Sequence, residues 1–304
     1  MRLLIAIIAL LACSTSWAAL RGTTSSTCGS CASIATTYSG SAIQVGDLIV
    51  LVTSAGNGGS TTYTSPTGFT NGSALSPAIP DVAFDGPAVQ YHLAVKIAAA
   101  GDTGTPTYTT SIGYTAGWGA QQIRVYSGRV NSSIGAAFNN QVATAATGTQ
   151  SMNYTMSVTG LTALSGDDLV EFVFSSYAAG GTGHTITSAI TGFSNSLVSY
   201  DNSNNGHGWI ASLDSVNHAS GATGTLSDAL SSSGGGDTGN FTAFVLALPQ
   251  SAGASCTHSG ITSAGAIAVP TASTTVVRLA SGALSTVDCS SVSYKQSSGA
   301  FGVN

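Results

Sequence analysis

Apolar side chains recur along the chain in short runs rich in Val, Ile, Phe and Tyr: DLIVLVTS (Asp47 to Ser54), VQYHLAVKIAA (Val89 to Ala99), AQQIRVYSG (Ala120 to Gly128), DLVEFVFSSY (Asp168 to Tyr177), HGWIASLDSV (His207 to Val216) and FTAFVLALP (Phe241 to Pro249). In the second run Val89, Tyr91, Leu93, Val95 and Ile97 fall on one side, and Gln90, His92 and Lys96 on the other. This two-residue period is that of a half-buried strand, with His92 and Gln90 turned outward. The intervening tracts, such as SAGNGGSTTYTSPTGF and SSSGGGDTGN, are built from Gly, Ser, Thr and Asn and read as turns and long loops. Beyond the N-terminal segment no stretch has a capped 3.6-residue period, so the expected fold is all-β, a sandwich of antiparallel sheets.

The pattern returns once. GDLIVLV from Gly46 reappears as GDDLVEFVF from Gly166, SPTGFTN around Gly68 as AITGFSN around Gly192, GDTGT from Gly101 as GATGT from Gly221, and GWGAQQIRVYSG as TGNFTAFVLALPQ. The blocks keep their order, which points to an internal duplication, with repeat 1 over residues 41–130 and repeat 2 over 160–250. Two copies could form separate small sandwiches or complete one another in a single jelly-roll-like sandwich. The single sandwich buries more strand edge and is the expected form.

The first copy opens with Gly46 and Asp47, turns at Pro66, Gly68 and Phe69, carries Tyr91 in a central strand, and ends through Trp118 to Tyr126 and Gly128. In this order of blocks the stretch from 40 to 250 resembles the duplicated β-sandwich modules of bacterial extracellular proteins and of some phage tail or appendage proteins. The resemblance implies a structural or ligand-binding role without a shared catalytic set. The second copy departs from the pattern, having no Pro before Gly192 and no closing Tyr-x-Gly.

Arg2, the apolar run LLIAIIALLA and the small residues of STSWAA form a secretory signal, residues 1–18, with cleavage expected after Ala18. LLAC at Leu10 to Cys13 also resembles a lipobox, which would make the product an outer-membrane lipoprotein anchored through Cys13. No later stretch is apolar for long enough to span a membrane as a helix. Export leaves Cys28, Cys31, Cys256 and Cys289, an even number for an oxidising compartment. Of three possible pairings the simplest joins Cys28 to Cys31, within an N-terminal segment 19–40, and Cys256 to Cys289. The CGSC spacing would also suit a zinc knuckle or redox pair, but it has neither a second such motif nor a strand-to-helix setting. Residues 251–304 follow Pro249 and a Ser/Ala/Gly linker. They are expected to form a small disulfide-stapled β appendage.

Composition narrows the chemistry. Of 304 residues only 6% are charged, 7 Lys+Arg against 12 Asp+Glu, whereas an ordinary domain carries roughly a quarter. No basic surface is available for phosphates, which argues against nucleic acid. Motifs for a serine hydrolase elbow, a zinc protease or a phosphate-binding loop are missing. Asp47 and Asp167 are read as turn chemistry at strand starts, and Glu171 as half of a carboxylate pair would need a partner across a cleft. His92, His184, His207, His218 and His258 have no ligand spacing, and no calcium-loop motif occurs, so no metal, cofactor or enzymatic activity is expected.

Aromatic rings offer the one hint of a binding face: Tyr108, Tyr114 and Trp118 in the first copy, Tyr200 and Trp209 in the second. Such rings either stack on sugars or fill the core beside Gly-rich strand ends. The sequence thus predicts a secreted structural or adhesive β protein that associates with itself, with another surface protein or with a glycan. The alternatives are a carbohydrate-binding module and a secreted polysaccharide-acting enzyme.

Overall fold

The computed structural model of the chain describes residues 19–56, 62–76, 78–85, 89–116, 118–127, 142–144, 148–151, 154–158, 161–163, 168–178, 184–188, 192–201, 206–215, 221–232, 238–248, 274–278, 284–288, 294–297 and 300–303. Apart from short 3-10 turns at Gly72–Ala74 and Ala100–Asp102, their regular structure is strand, and every pairing is antiparallel. Two compact units divide the chain, Met1–Ser251 and Ala252–Asn304.

In the first unit the opening strands are β1 (Ala19–Cys28), β2 (Cys31–Thr37), β3 (Leu48–Gly56), β4 (Thr70–Asn71), β5 (Val82–Asp85), β6 (Val89–Ile97), β7 (Thr107–Ala116) and β8 (Trp118–Ser127). One sheet runs β1-β8-β3-β6-β4, with β5 also on β6, and a second pairs β2 with β7. Next come β9 (Val142–Thr144), β10 (Gly148–Ser151), β11 (Tyr154–Val158), β12 (Thr162–Ala163), β13 (Asp168–Ala178), β14 (His184–Ser188), β15 (Ser194–Asp201), β16 (Gly206–Ser215), β17 (Gly221–Ala222), β18 (Leu226–Ser232) and β19 (Thr238–Leu248). They form the sheet β10-β19-β13-β16-β15, with β9 also on β19, and the smaller sheets β11-β18-β14 and β12-β17. Small features correspond as well. The bridge Ile43–Gly104 stands where β12 pairs with β17, and the bridge Thr64–Ser111 where β14 pairs with β18.

Side-chain alternation assigns the strands to layers. Leu48, Val50 and Val52 of β3, Tyr91, Leu93 and Val95 of β6, and Trp118, Ala120 and Tyr126 of β8 share one apolar core with Val170, Phe172 and Phe174 of β13, Ile210 of β16, and Phe244, Leu246 and Leu248 of β19. The two large sheets therefore pack face to face, and Tyr91 stacks on Phe174 with ring centroids 4.6 Å apart. Their opposite faces are covered too. Ile49, Leu51, Ile123 and Val125 pack with Tyr108 of β7, and Ile34 of β2 with Ile112 and Ala116 of β7. Leu169, Val173, Leu213 and Val245 pack with Val158 of β11 and Leu226 of β18.

This layering corrects two expectations. The central strands are not half-buried: all nine residues of β3 are buried, because the sheet lies between two others. His92 accordingly does not face outward; it is 1% exposed. The 19–40 segment supplies β1, the outer strand of the first large sheet, and β2, which pairs with β7. The two sets of sheets each have their own outer layer and pack through their large faces.

In the second unit the described strands form two hairpins, β20 (Thr274–Arg278) with β21 (Leu284–Asp288) and β22 (Tyr294–Ser297) with β23 (Ala300–Val303).

Candidate functional site

Chemistry collects on the outer face of β6, where the loop 62–71 folds back over the strand. Gly68, at φ +82°, makes the turn that only a residue without Cβ takes without strain, and the Phe69 N–H donates to the Pro66 carbonyl across it. Thr64 is pinned to Ser111 by paired backbone bonds, and the Tyr63 hydroxyl donates to the Gln90 carbonyl at 2.7 Å. This fixes Ser65 above His92. The imidazole Nε2 lies 2.7 Å from Ser65 Oγ and Nδ1 lies 2.8 Å from Asp81 Oδ1, while the Tyr63 ring stacks on its face at 5.0 Å. Ser65 Oγ also donates to Asn71 Oδ1 at 2.6 Å. Ser65 is half-buried and Asp81 is open to solvent at the edge of β5, so the row runs from a buried ring to the surface.

Farther along β6, Lys96 Nζ meets Asp102 Oδ1 at 2.7 Å and sits over the Phe69 ring at 5.7 Å. Asp102 also accepts from the Ala99 N–H and the Tyr108 hydroxyl. Burial acts to raise its carboxyl, but these donors and the Lys96 charge prevail and hold it below the usual carboxylate range. Asp47 caps the turn before β3 by accepting the Gln44 N–H, and pairs with Arg21, which is the turn role read from the sequence. The same pair lies near Tyr38, whose phenol is pushed up to about 12, chiefly by burial.

A second polar group lies between the two large sheets. Arg124 of β8 is fully buried. It donates to Ser212 Oγ and O and to the Asn195 carbonyl, with Asp214 Oδ2 3.3 Å from Nη1. Gln122, also on β8, donates to Ser199 Oγ and the Ile210 carbonyl and accepts from Ser212 Oγ. Asn195, at φ +52°, forms a bulge in β15 that turns its carbonyl onto Arg124 and its amide onto Asp214. Desolvation raises the Asp214 carboxyl and is only partly offset by Arg124 and Asn195. These residues hold one sheet in register on the other and offer no opening to a ligand.

The residues expected from sequence are scattered. Cys28 and Cys31 are joined in a disulfide across the turn between β1 and β2, whereas Cys13, Cys256 and Cys289 lie outside the described residues. Tyr108 and Trp118 are core residues, 6% and 2% exposed. The side chains of Tyr114, Tyr200 and Trp209 lie outside the described residues, as do Asp167 and His218. Glu171 is fully buried, on the strand face shared with Leu169 and Val173. Among the described residues no group of His, Cys, Asp and Glu is arranged to hold a metal ion, and no helix is long and apolar enough to cross a membrane. Ser65 and Asp81 were not singled out from sequence. They lie 27 and 11 positions from His92, and no local motif links such separations. Comparison with protein-family models, with curated proteins and with solved structures finds no match.

Proposed function

We propose that the mature chain is a secreted structural or adhesive protein, a tandem of two jelly-roll-like units that associates into an extracellular surface, filament or appendage. The observation that carries this reading is where the charge goes. In the first unit the cations whose side chains are described, Arg21, Lys96 and Arg124, are each spent in an ion pair with Asp47, Asp102 and Asp214. The outward face of the β2-β7 sheet is left with hydroxyls and methyls: Ser33 opposite Ser111, Ala35 opposite Thr109, and Thr37 opposite Thr107, all exposed. Such a face can be covered by another copy without stripping water from charges, the costliest step in making a dry interface.

One further feature supports the reading. The matching strand orders, in which a first strand pairs with the last and a second with the next to last, suit a duplicated jelly roll of the kind the sequence resembles. The test is negative-stain imaging of the purified mature chain over a concentration series. Ordered multimers support the proposal; single particles at every concentration refute it.

A further inference from the structure

The contacts of His92 form a sequence known from nucleophilic catalysis: a hydroxyl, an imidazole and a carboxylate in line. Nucleophilic serines need a base within hydrogen-bond reach of Oγ and a third group that orients the base. Here Ser65 Oγ is 2.7 Å from Nε2 and Asp81 Oδ1 is 2.8 Å from Nδ1 of the same ring. The ring is buried and stacked on Tyr63, which fixes its plane. The hydroxyl, on a half-buried turn, is the member nearest the surface besides Asp81. We propose that Ser65, His92 and Asp81 act as nucleophile, base and positioning carboxylate in a site that accepts acyl groups from small uncharged esters, an activity separate from assembly.

Asn71 holds the resting hydroxyl: Ser65 Oγ donates its proton to Asn71 Oδ1 at 2.6 Å, and rotation of that O–H directs the proton to Nε2, 2.7 Å from Oγ. Pro66 follows Ser65 and has no N–H, so the usual backbone donor beside a nucleophile is missing. The substrate class follows from the rim. Thr64, Thr67 and Asn71 are exposed and neutral, and the solvent-facing Asp81 carboxylate repels anionic substrates.

In the reaction, Oγ bonds to the carbonyl carbon and its proton passes to Nε2. The bond from that carbon to the alcohol oxygen breaks, and the leaving alkoxide takes the proton from His92. Water, giving a proton to the same Nε2, then cleaves the acyl–Ser65 bond and releases the acid, with the proton returned to Oγ.

The test uses the whole mature protein and an uncharged alkyl fluorophosphonate. Oγ displaces fluoride from phosphorus, and the phosphonyl group stays on the serine. The expected result is one label per chain, mapped by mass spectrometry to Ser65 and abolished by Ser65→Ala. General-base assistance is worth roughly 100- to 10,000-fold, so His92→Asn slows labelling by about 100-fold or more. Since a buried His92 variant can fail to fold, Asp81→Asn at the exposed end supplies the second arm. It slows labelling and moves the pH profile of the labelling rate, which a clasp that merely ties the loop to β6 would not do. Folded wild-type protein left unlabelled at Ser65, or labelling that Asp81→Asn leaves unchanged in rate and pH profile, overturns the proposal.

Discussion

Asp102 and Asp214 are both buried beside a cation, yet their carboxyls move in opposite directions. Asp102 gains donors from Lys96, Ala99 and Tyr108 that outweigh burial, so its folded form holds the proton less tightly than the unfolded chain does. Its contribution to stability is therefore complete above the unfolded carboxyl pKa, about 3.9, and is lost as pH falls through the lower folded value. Lys96→Met removes the principal donor. It should cost stability at neutral pH and almost none near pH 2, as urea unfolding at the two pH values would report. Asp214 is raised by desolvation, so its contribution is greatest at low pH and falls as pH rises through its folded value. Arg124→Met leaves that carboxylate without its cation between two sheets and should cost about 3–5 kcal/mol, read from the shift in denaturation midpoint at pH 7. None of these pairings was legible in the sequence. Alternation placed His92, Lys96 and Gln90 on one face of a strand correctly, but it carries no information on whether that face meets water or another sheet. Asp81 and Ser65 reach His92 through a loop whose path depends on the Gly68 turn and the Thr64–Ser111 bridge.

At the scale of elements the sequence was more informative. The apolar runs become β3, β6, β8, β13, β16 and β19, the strands that build the two central sheets. β3, β13 and β19 were legible as nearly continuous apolar runs, the mark of strands buried on both faces, and β6 by its alternation. The two outer sheets left weaker traces: β2 and β7 are largely Ser and Thr, with only every second side chain buried. Close approach is set by glycine at strand ends. A Cβ on Gly56 would meet the Trp118 ring at 2.7 Å and Val89 at 2.8 Å. Gly56→Ala should therefore destabilise by about 1–3 kcal/mol, the usual cost of overpacking a filled core. A thermal melt showing no loss would mean that Trp118 can yield.

For the whole molecule, low charge and layered architecture have one common consequence. Two large sheets are consumed between layers, and the described cations of the first unit are consumed in ion pairs. What faces outward from the β2-β7 layer is a set of paired Thr and Ser side chains, with the Thr37 and Thr107 hydroxyls 2.8 Å apart. The sequence disclosed the scarcity of charge but not its placement. An interface of this kind has no ionic component to screen, and a single charge placed in it must be desolvated when it closes. Thr109→Lys, exposed at the middle of that face, should leave the melting temperature unchanged within about a degree and abolish association.

Sedimentation velocity of the mature wild-type chain at 0.05 M and 1 M salt is the most direct test. Screening lengths change from above 10 Å to about 3 Å over this range. Association through neutral hydroxyl faces predicts multimers of the same size and midpoint concentration at both salts. A monomer at all concentrations, or multimers that dissolve at high salt, would contradict the account.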